Sequence, residues 1–400
     1  MVPRHLALLL LAGLAALLFT DAAIADHRPD NVIVLGGTFS LSGRFAQPSG
    51  RFLNACKLYV EQMNNRGGLL GRQVVLKAVD DKSDRRTAIE LYEKLITEHE
   101  VDLFLGPFGG HLTDAVANVM ERYKRPFIAF ASARVIWERG RKYVFSIPTA
   151  PAQDYQKGAL HIAKEMGIKR VVVIGEGSFF PRQATEGAVR WAKELGLDVV
   201  FIQSYRKGET DFTALLKKIG ASGAEAIFSN SLYADSVAQL RQMRALNINV
   251  KMFAATVGPA LPKFTEELGD TAEFTLGFSQ WEPRVTLGYP GMKEFIEAYE
   301  KRYGVKPNYH ASGAYTVVQI LEAAVKHAGS LDPQKVRDAL ASIEVETIRG
   351  LYKPDAQGMS IRESLTFQIQ NGERVIVWPK DKAEAKYILP MPRWDERPKR

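Results

Sequence analysis

QVVLKAVDDKSDRRTAIELYEKLITEHEVDLFLGPFGGHLTDAVANVMERYKRPFIAF, residues 73–130, switches between two hydrophobic periods along its length. Gln73–Val79 reads as a strand, and Asp84–Glu98 as a helix with Ala88, Ile89, Tyr92, Leu95 and Ile96 on one face. Asp102–Leu105 is strand-like again, Leu112–Lys124 helical and Phe127–Phe130 strand-like. Strands separated by helices pair in parallel, because each helix returns the chain to the sheet's starting end. The stretch therefore predicts a parallel sheet covered by helices on both faces.

The pattern extends in both directions. Upstream, Val32–Leu35 is a strand and Phe52–Asn64 a helix stopped by Gly67-Gly68. Between them lies LGGTFSLSGRFAQPSG, residues 35–50, rich in glycine and hydroxyls, with Arg44 its only charge. A loop of that kind lets backbone N–H groups approach a ligand, and the helix behind it adds positive dipole character. Downstream, Tyr143–Pro148 reads as a crossing segment, after which the alternation restarts. The strands are Arg170–Gly175, Val199–Tyr205, Ala226–Ser229 and Lys251–Ala255; the helices are Gln153–Met166, Ala184–Leu195, Phe212–Ile219 and Ser236–Leu246. Phe274–Ser279 crosses again, Lys293–Tyr303 and Ala311–Ala328 are long helices, and Ile348–Trp378 carries short strand-like runs with a turn at Gln370-Asn371-Gly372-Glu373. The fold class expected is α/β, with two doubly wound parallel-sheet lobes in series.

Residues 1–25 have the layout of a cleavable secretory signal: Arg4 and His5, the apolar run Leu6–Phe19, then Ala23-Ile24-Ala25. Cleavage near Ala25 would deliver an exported, periplasmic protein. The remainder is long enough for two cores. The net charge of +8 is spread in mixed-sign clusters, which argues against a nucleic-acid partner. The single cysteine, Cys56, shares a helical face with Phe52, Tyr59 and Met63 and reads as an inert core thiol.

Ligands of open parallel sheets bind beyond the carboxyl ends of the strands. The loops expected there are poor in catalytic chemistry. The histidines are scattered, no nucleophile elbow or P-loop occurs, and Asp80-Asp81 reads as a solvated turn rather than an acid/base pair. Gly175-Glu176-Gly177-Ser178-Phe179-Phe180 opens like a dinucleotide fingerprint, but Phe180 stands where the third glycine would let helix and strand pack. No cofactor and no metal is expected. The loops instead offer hydroxyls (Ser40, Ser42, Ser132, Ser178, Thr256) and aromatics (Phe45, Phe108, Phe130, Trp137, Phe179, Phe180, Tyr233, Trp281), suited to a small ligand with a polar end and an apolar body.

Taken in order, Gly36-Gly37-Thr38-Phe39-Ser40-Leu41-Ser42-Gly43, Asn65-Arg66-Gly67-Gly68-Leu69-Leu70-Gly71-Arg72, Asp80-Asp81, Gly106-Pro107-Phe108, Pro126-Phe127-Ile128, Glu138-Arg139-Gly140, Leu268-Gly269-Asp270, Tyr299-Glu300-Lys301-Arg302-Tyr303-Gly304 and Ala314-Tyr315 resemble the branched-chain amino-acid-binding proteins of ABC importers. The resemblance implies the type I periplasmic binding protein fold, two α/β lobes joined by three crossing segments, here near Ser146, Gly277 and Arg349. It implies a first lobe of residues 26–146 and 277–348, and a second of 147–276 and 349–400. It also implies that first-lobe backbone N–H groups and hydroxyls hold a carboxylate. Gly109-Gly110 replaces the family's loop hydroxyl, and Ala131-Ser132 resembles its Ala-Thr pair.

For ammonium capture, Phe179 or Phe180 replaces an aromatic hydroxyl, and Thr256 or Val257 stands where an acid is expected. An amine buried without a counter-charge is costly, although Trp281 or Tyr233 can offset part of that through cation–π contact. The ligand expected is an aromatic or aliphatic carboxylate, or else a hydrophobic amino acid, passed to an inner-membrane ABC permease. Two alternatives stay open: a ligand-sensing module docking a receptor kinase or chemoreceptor, and an exported α/β enzyme.

Overall fold

The computed structural model describes residues 31–283 and 288–397. The signal read in residues 1–25 lies outside them. The first sheet holds β1 (Val32–Phe39), β2 (Gln73–Asp80), β3 (Leu103–Leu105), β4 (Phe127–Ala129) and β5 (Val144–Ser146), all parallel in the order β2-β1-β3-β4-β5. Side-chain alternation explains why both faces are covered. Ile33, Leu35, Leu103 and Leu105 face one core, while Val34 and Phe104 face another. The first face is covered by α1 (Ala46–Asn65) and the later helices α9 (Met292–Tyr303) and α10 (Tyr309–Ala328), the second by α2 (Arg85–Thr97) and α3 (Gly110–Arg122).

The second sheet holds β6 (Arg170–Glu176), β7 (Asp198–Tyr205), β8 (Ala226–Asn230), β9 (Met252–Ala255), β10 (Leu276–Ser279), β13 (Leu365–Gln370) and β14 (Glu373–Trp378). Their order is β14-β13-β10-β9-β8-β6-β7, parallel except for the antiparallel pairs β10–β13 and β13–β14. Val171 and Val173 pack on α4 (Lys157–Glu165) and α5 (Phe179–Glu194). Val172 and Ile174 face the side covered by α6 (Thr213–Ala221), α7 (Tyr233–Ala245) and α8 (Pro262–Leu268). A last helix, α11 (Pro333–Ser342), precedes the short antiparallel pair β11 (Val345–Thr347) and β12 (Gly350–Tyr352).

Several expectations are corrected. The two segments read as crossings contain strands: Val144–Ser146 completes the first sheet and Leu276–Ser279 joins the second. The break expected at residue 277 thus falls inside β10. The break at 349 separates β11 from β12, although these pair with each other and Tyr352 Oη donates to Leu340 O at 2.6 Å. Gly36–Phe39 belongs to β1 rather than to the following loop, because it pairs with Lys77–Asp80. Helix α5 starts at Phe179 instead of Ala184; Pro181 is tolerated because it sits in the first turn, where its missing N–H breaks no helix bond. Helices α8 and α11 were not read at all, though Pro at N1 and the Asp332 cap, which accepts from Gln334 N and Lys335 N, are start signals.

Candidate functional site

The hydroxyls at the end of β1 and just beyond it are already committed. Thr38 and Ser40 donate to Asp81 at 2.8 and 2.6 Å, and Ser42, exposed, donates to Asp80 at 2.7 Å. These bonds tie the carboxyl ends of β1 and β2 together. Asp81 is fully buried, not solvated, and burial pushes its carboxyl up while the Ser40 and Thr38 hydroxyls pull it down. Ser42 is therefore an anchor of this rim.

Below the rim the first lobe presents aromatic rings. Phe108 lies 5.9 Å from Phe45, 6.4 Å from Phe130 and 5.2 Å from His310, and Phe130 lies 6.3 Å from Tyr309. His310 is buried with its Nδ1 unpartnered, and burial pushes its pKa down to about 3, so the imidazole is neutral. Gly109 precedes α3 with φ +94°, a conformation that a β-carbon disfavours. It gives the helix no side-chain cap, so first-turn N–H groups have no capping side chain. Ala131 and Ser132 follow β4; Ser132 is half-buried, and its carbonyl accepts from Ala152 N at 2.7 Å.

The second lobe meets this face through Phe179 and Glu176, with Phe180 set beside Tyr155 of its own lobe. Phe179 packs against Gly110, where an added β-carbon would stand 3.3 Å from the ring. Phe180 lies 5.5 Å from Tyr155, whose ring stacks on Phe278 at 3.7 Å. Arg44 forms an ion pair with the buried Glu176 at the end of β6. So Phe45, Phe108, Gly109, Gly110, Ala131, Ser132, Phe179 and Phe180 are gathered where the lobes touch. The other expected residues are not. Thr256 Oγ1 donates to Ser231 O at 2.7 Å, and Val257 N donates to the same carbonyl, so both serve the β8–β9 loops. Tyr233 Oη donates to Glu267 Oε2 at 2.5 Å on α8, and Trp281 packs edge-on to Phe295 of α9 at 6.0 Å.

Two acids, Glu176 and Asp235, lie at the carboxyl edge of the second sheet. Glu176 keeps Oε1 buried and unpartnered, as are Asn230 Oδ1 and Ser231 Oγ at the end of the adjacent β8. Asp235, on α7, accepts from Leu232 N at 3.1 Å and Tyr205 Oη at 3.3 Å. Burial pushes its carboxyl up, and the Glu176 charge adds to this. Sequence reading missed these acids because each looks like an ordinary strand-end or helix-start residue.

At the back of the cleft the three passages between the sheets are knotted by Arg349. Its Nε donates to Pro148 O at 3.3 Å, its Nη1 to Ser312 Oγ at 2.9 Å and Tyr309 O at 3.3 Å, and its Nη2 to Gln280 Oε1 at 3.1 Å. Arg362 Nη1 donates to Arg349 O at 2.8 Å and its Nη2 to Gln280 O. Burial lowers the pKa of both guanidiniums, yet the partners named are all acceptors, which keeps both groups donors and charged. The signal for Arg349 was a lone charge within the run Thr347-Ile348-Arg349-Gly350-Leu351. Among the described residues no group of three or more His, Cys, Asp or Glu is placed to hold a metal ion.

Residues 32–373 match the family model described as periplasmic binding protein. The chain is 27% identical over 390 residues to the Leu/Ile/Val-binding protein homolog 7 of Brucella suis, covering 92% of this chain and 97% of that one. Its fold is similar to LivJ of Streptococcus pneumoniae, a branched-chain amino acid transporter substrate binding protein in complex with isoleucine, with TM-score 0.77, 22% identity, and 90% and 100% of the two chains covered. It is also similar to a solute binding protein of an ABC transporter from Rhodopseudomonas palustris in complex with benzoate, with TM-score 0.75, 19% identity, and 86% and 95% covered.

Proposed function

The chain belongs to the periplasmic binding protein family, and on that premise we propose that it is the exported solute receptor of an ABC importer, capturing a small carboxylate between its two lobes without transforming it. One observation carries the reading. The uncapped start of α3 and the Ala131-Ser132 turn, first-lobe donors, lie on the face that Phe179 packs against, with Phe180 close by beside Tyr155. A carboxylate needs charge-assisted donors, and an apolar body needs rings to displace water from it. Hinge motion about the Arg349 knot admits and encloses the ligand, and the enclosed form is the one offered to an inner-membrane permease. Relatives that hold isoleucine and benzoate are consistent with either body.

A second reading, a hydrophobic amino acid, is favoured by the unpartnered Oε1 of Glu176 beside Asn230 Oδ1. These acceptors suit an ammonium group, whose burial is tolerable only beside such partners. Calorimetric titration with benzoate and with leucine separates the two. Benzoate binding without leucine supports the first reading, and the reverse the second; silence with both overturns the receptor reading for these acids. For whichever acid binds, Ser132→Ala is expected to weaken affinity by about tenfold. Unchanged affinity removes Ser132 from the site.

A further inference from the structure

Resting on the receptor reading, we propose that Phe179 and Gly110 form a key and keyhole between the lobes. The seated ring sets how closely the lobes approach, and so governs affinity through closure rather than by touching the ligand. Two neighbouring rings at the start of α5 part company. Phe180 packs with Tyr155, Phe278 and Ala150, on its own side of the cleft. Phe179 packs instead against the core that covers the second face of the first sheet, which includes Leu112, Ala131, Ala133 and Ile136. A β-carbon added at Gly110 would stand 3.3 Å from the Phe179 ring and 3.6 Å from Ile136 Cδ1. Carbon atoms rest at about 3.5–4.0 Å, so alanine there already presses the ring, and a branched side chain competes with it for the same space.

The backbone does not ask for this glycine. Gly109 has φ +94° and needs one, whereas Gly110 is the first helical residue of α3 and is not in the left-handed region. Glycine is the weaker helix former at such a position, so the first lobe alone would be better served by alanine. What the bare α-carbon supplies is room for a ring from the other lobe. That ring stands on a firm base. Glu176, three residues earlier, is ion-paired with Arg44 of the first lobe, and further along α5 Gly187 bears on the Gln153 backbone. The junction of β6 and α5 thus reaches the first lobe through one polar and one apolar contact. A half-exposed cation can follow its acid as the lobes shift, but a ring pressed on an α-carbon feels a few tenths of an ångström. Phe179 therefore fixes the closing distance. It and Gly110 are positioning residues that act on the ligand through the spacing of the lobes.

A double-mutant cycle tests this, with benzoate and leucine as probes by calorimetry. Gly110→Val is expected to weaken whichever acid binds by about tenfold or more, and Gly110→Ala by about threefold. Phe179→Ala empties the keyhole. Added to Gly110→Val, it is expected to recover about fivefold of the lost affinity, because the valine then occupies the space the ring has left. X-ray scattering with acid bound is expected to show a larger radius of gyration for Gly110→Val than for wild type, reversed in the double variant. Thermal melts check that each variant is folded, and Gly110→Ala supplies the same cycle at smaller amplitude if the valine variant is not. A ring that rests on the ligand gives the opposite pattern, with Phe179→Ala costing as much after Gly110→Val as before it. That pattern, or unchanged affinity in Gly110→Val, overturns the key and keyhole while leaving the receptor reading intact. If the wild-type protein binds neither acid, the receptor reading for these acids falls and takes this inference with it.

Discussion

Gly187 sits so close to the turn at residues 152–154 that a β-carbon on it would stand 2.0 Å from the Gln153 carbonyl oxygen. The obstacle is backbone, which cannot rotate aside, and the turn it presses carries Tyr155. Gly187→Ala is therefore expected to destabilise the fold by about 2–3 kcal/mol in urea unfolding. At this scale the sequence was legible where neighbours lie on one helix. Phe52, Cys56, Tyr59 and Met63 are all buried, and burial pushes the Cys56 thiol far up, as befits an inert core group. Arg349 and Gln280 were not legible in that way, because Arg349 finds Pro148 across 201 residues and Gln280 across 69. No local period encodes such a meeting. Ser42 and Tyr233 misled for the related reason that a hydroxyl advertises hydrogen bonding without naming its partner.

Single carboxylates hold elements in register. Glu225, just before β8, bonds Lys251 at 2.5 Å and accepts from the backbone N–H groups of Lys169 and Arg170 at 2.8 and 3.1 Å, so it clamps the amino ends of β6, β8 and β9. The Lys251 bond first, then those N–H groups, hold its pKa at about 2 against an ordinary 4.5. A depressed folded pKa means stability that is fully present above pH 4.5 and lost as pH falls through about 2. Glu225→Gln is expected to cost about 1–2 kcal/mol near neutral pH after solvent screening, with the gap to wild type narrowing across that acid window in urea melts. Element type was readable wherever turn chemistry was explicit. Asn371 and Gly372 both have positive φ, as the Asn-Gly signal of a tight hairpin demands, and β13 pairs with β14 across them. Leu276–Ser279 was misread because a buried four-residue strand and an extended connector carry the same apolar composition.

Across the whole molecule, Arg44 and Glu176 join the lobes by an ion pair whose acid is fully buried and whose base is a quarter exposed. That inequality predicts unequal mutants. Arg44→Gln strands a buried carboxylate beside Asp235, whereas Glu176→Gln releases a guanidinium that water can reach. On the proposed hinge motion, Arg44→Gln is expected to shift ligand-free protein to the more open form, seen as a larger radius of gyration in X-ray scattering. It should also weaken ligand binding by roughly tenfold more than Glu176→Gln. Equal effects from the two would show that the pair is only a surface contact. The two-sheet architecture itself was legible, since repeated alternation of period dictates it.

The packing of α1 on α10 reaches past ligand capture into biosynthesis. Cys56 approaches the carbonyl of Ala314, 258 positions away, and Tyr59 meets the ring of Tyr315 at 4.6 Å. A growing polypeptide therefore emits the apolar side of α1 long before its cover exists, and the entire second sheet except its last two strands must emerge in the interval. The first half can close its core only after most of the second has been made, and the second sheet waits longer still for β13 and β14. Closure of the first core is thus a late event of synthesis, and until then the apolar side of α1 stays uncovered on the nascent chain, the kind of surface on which unfinished chains associate.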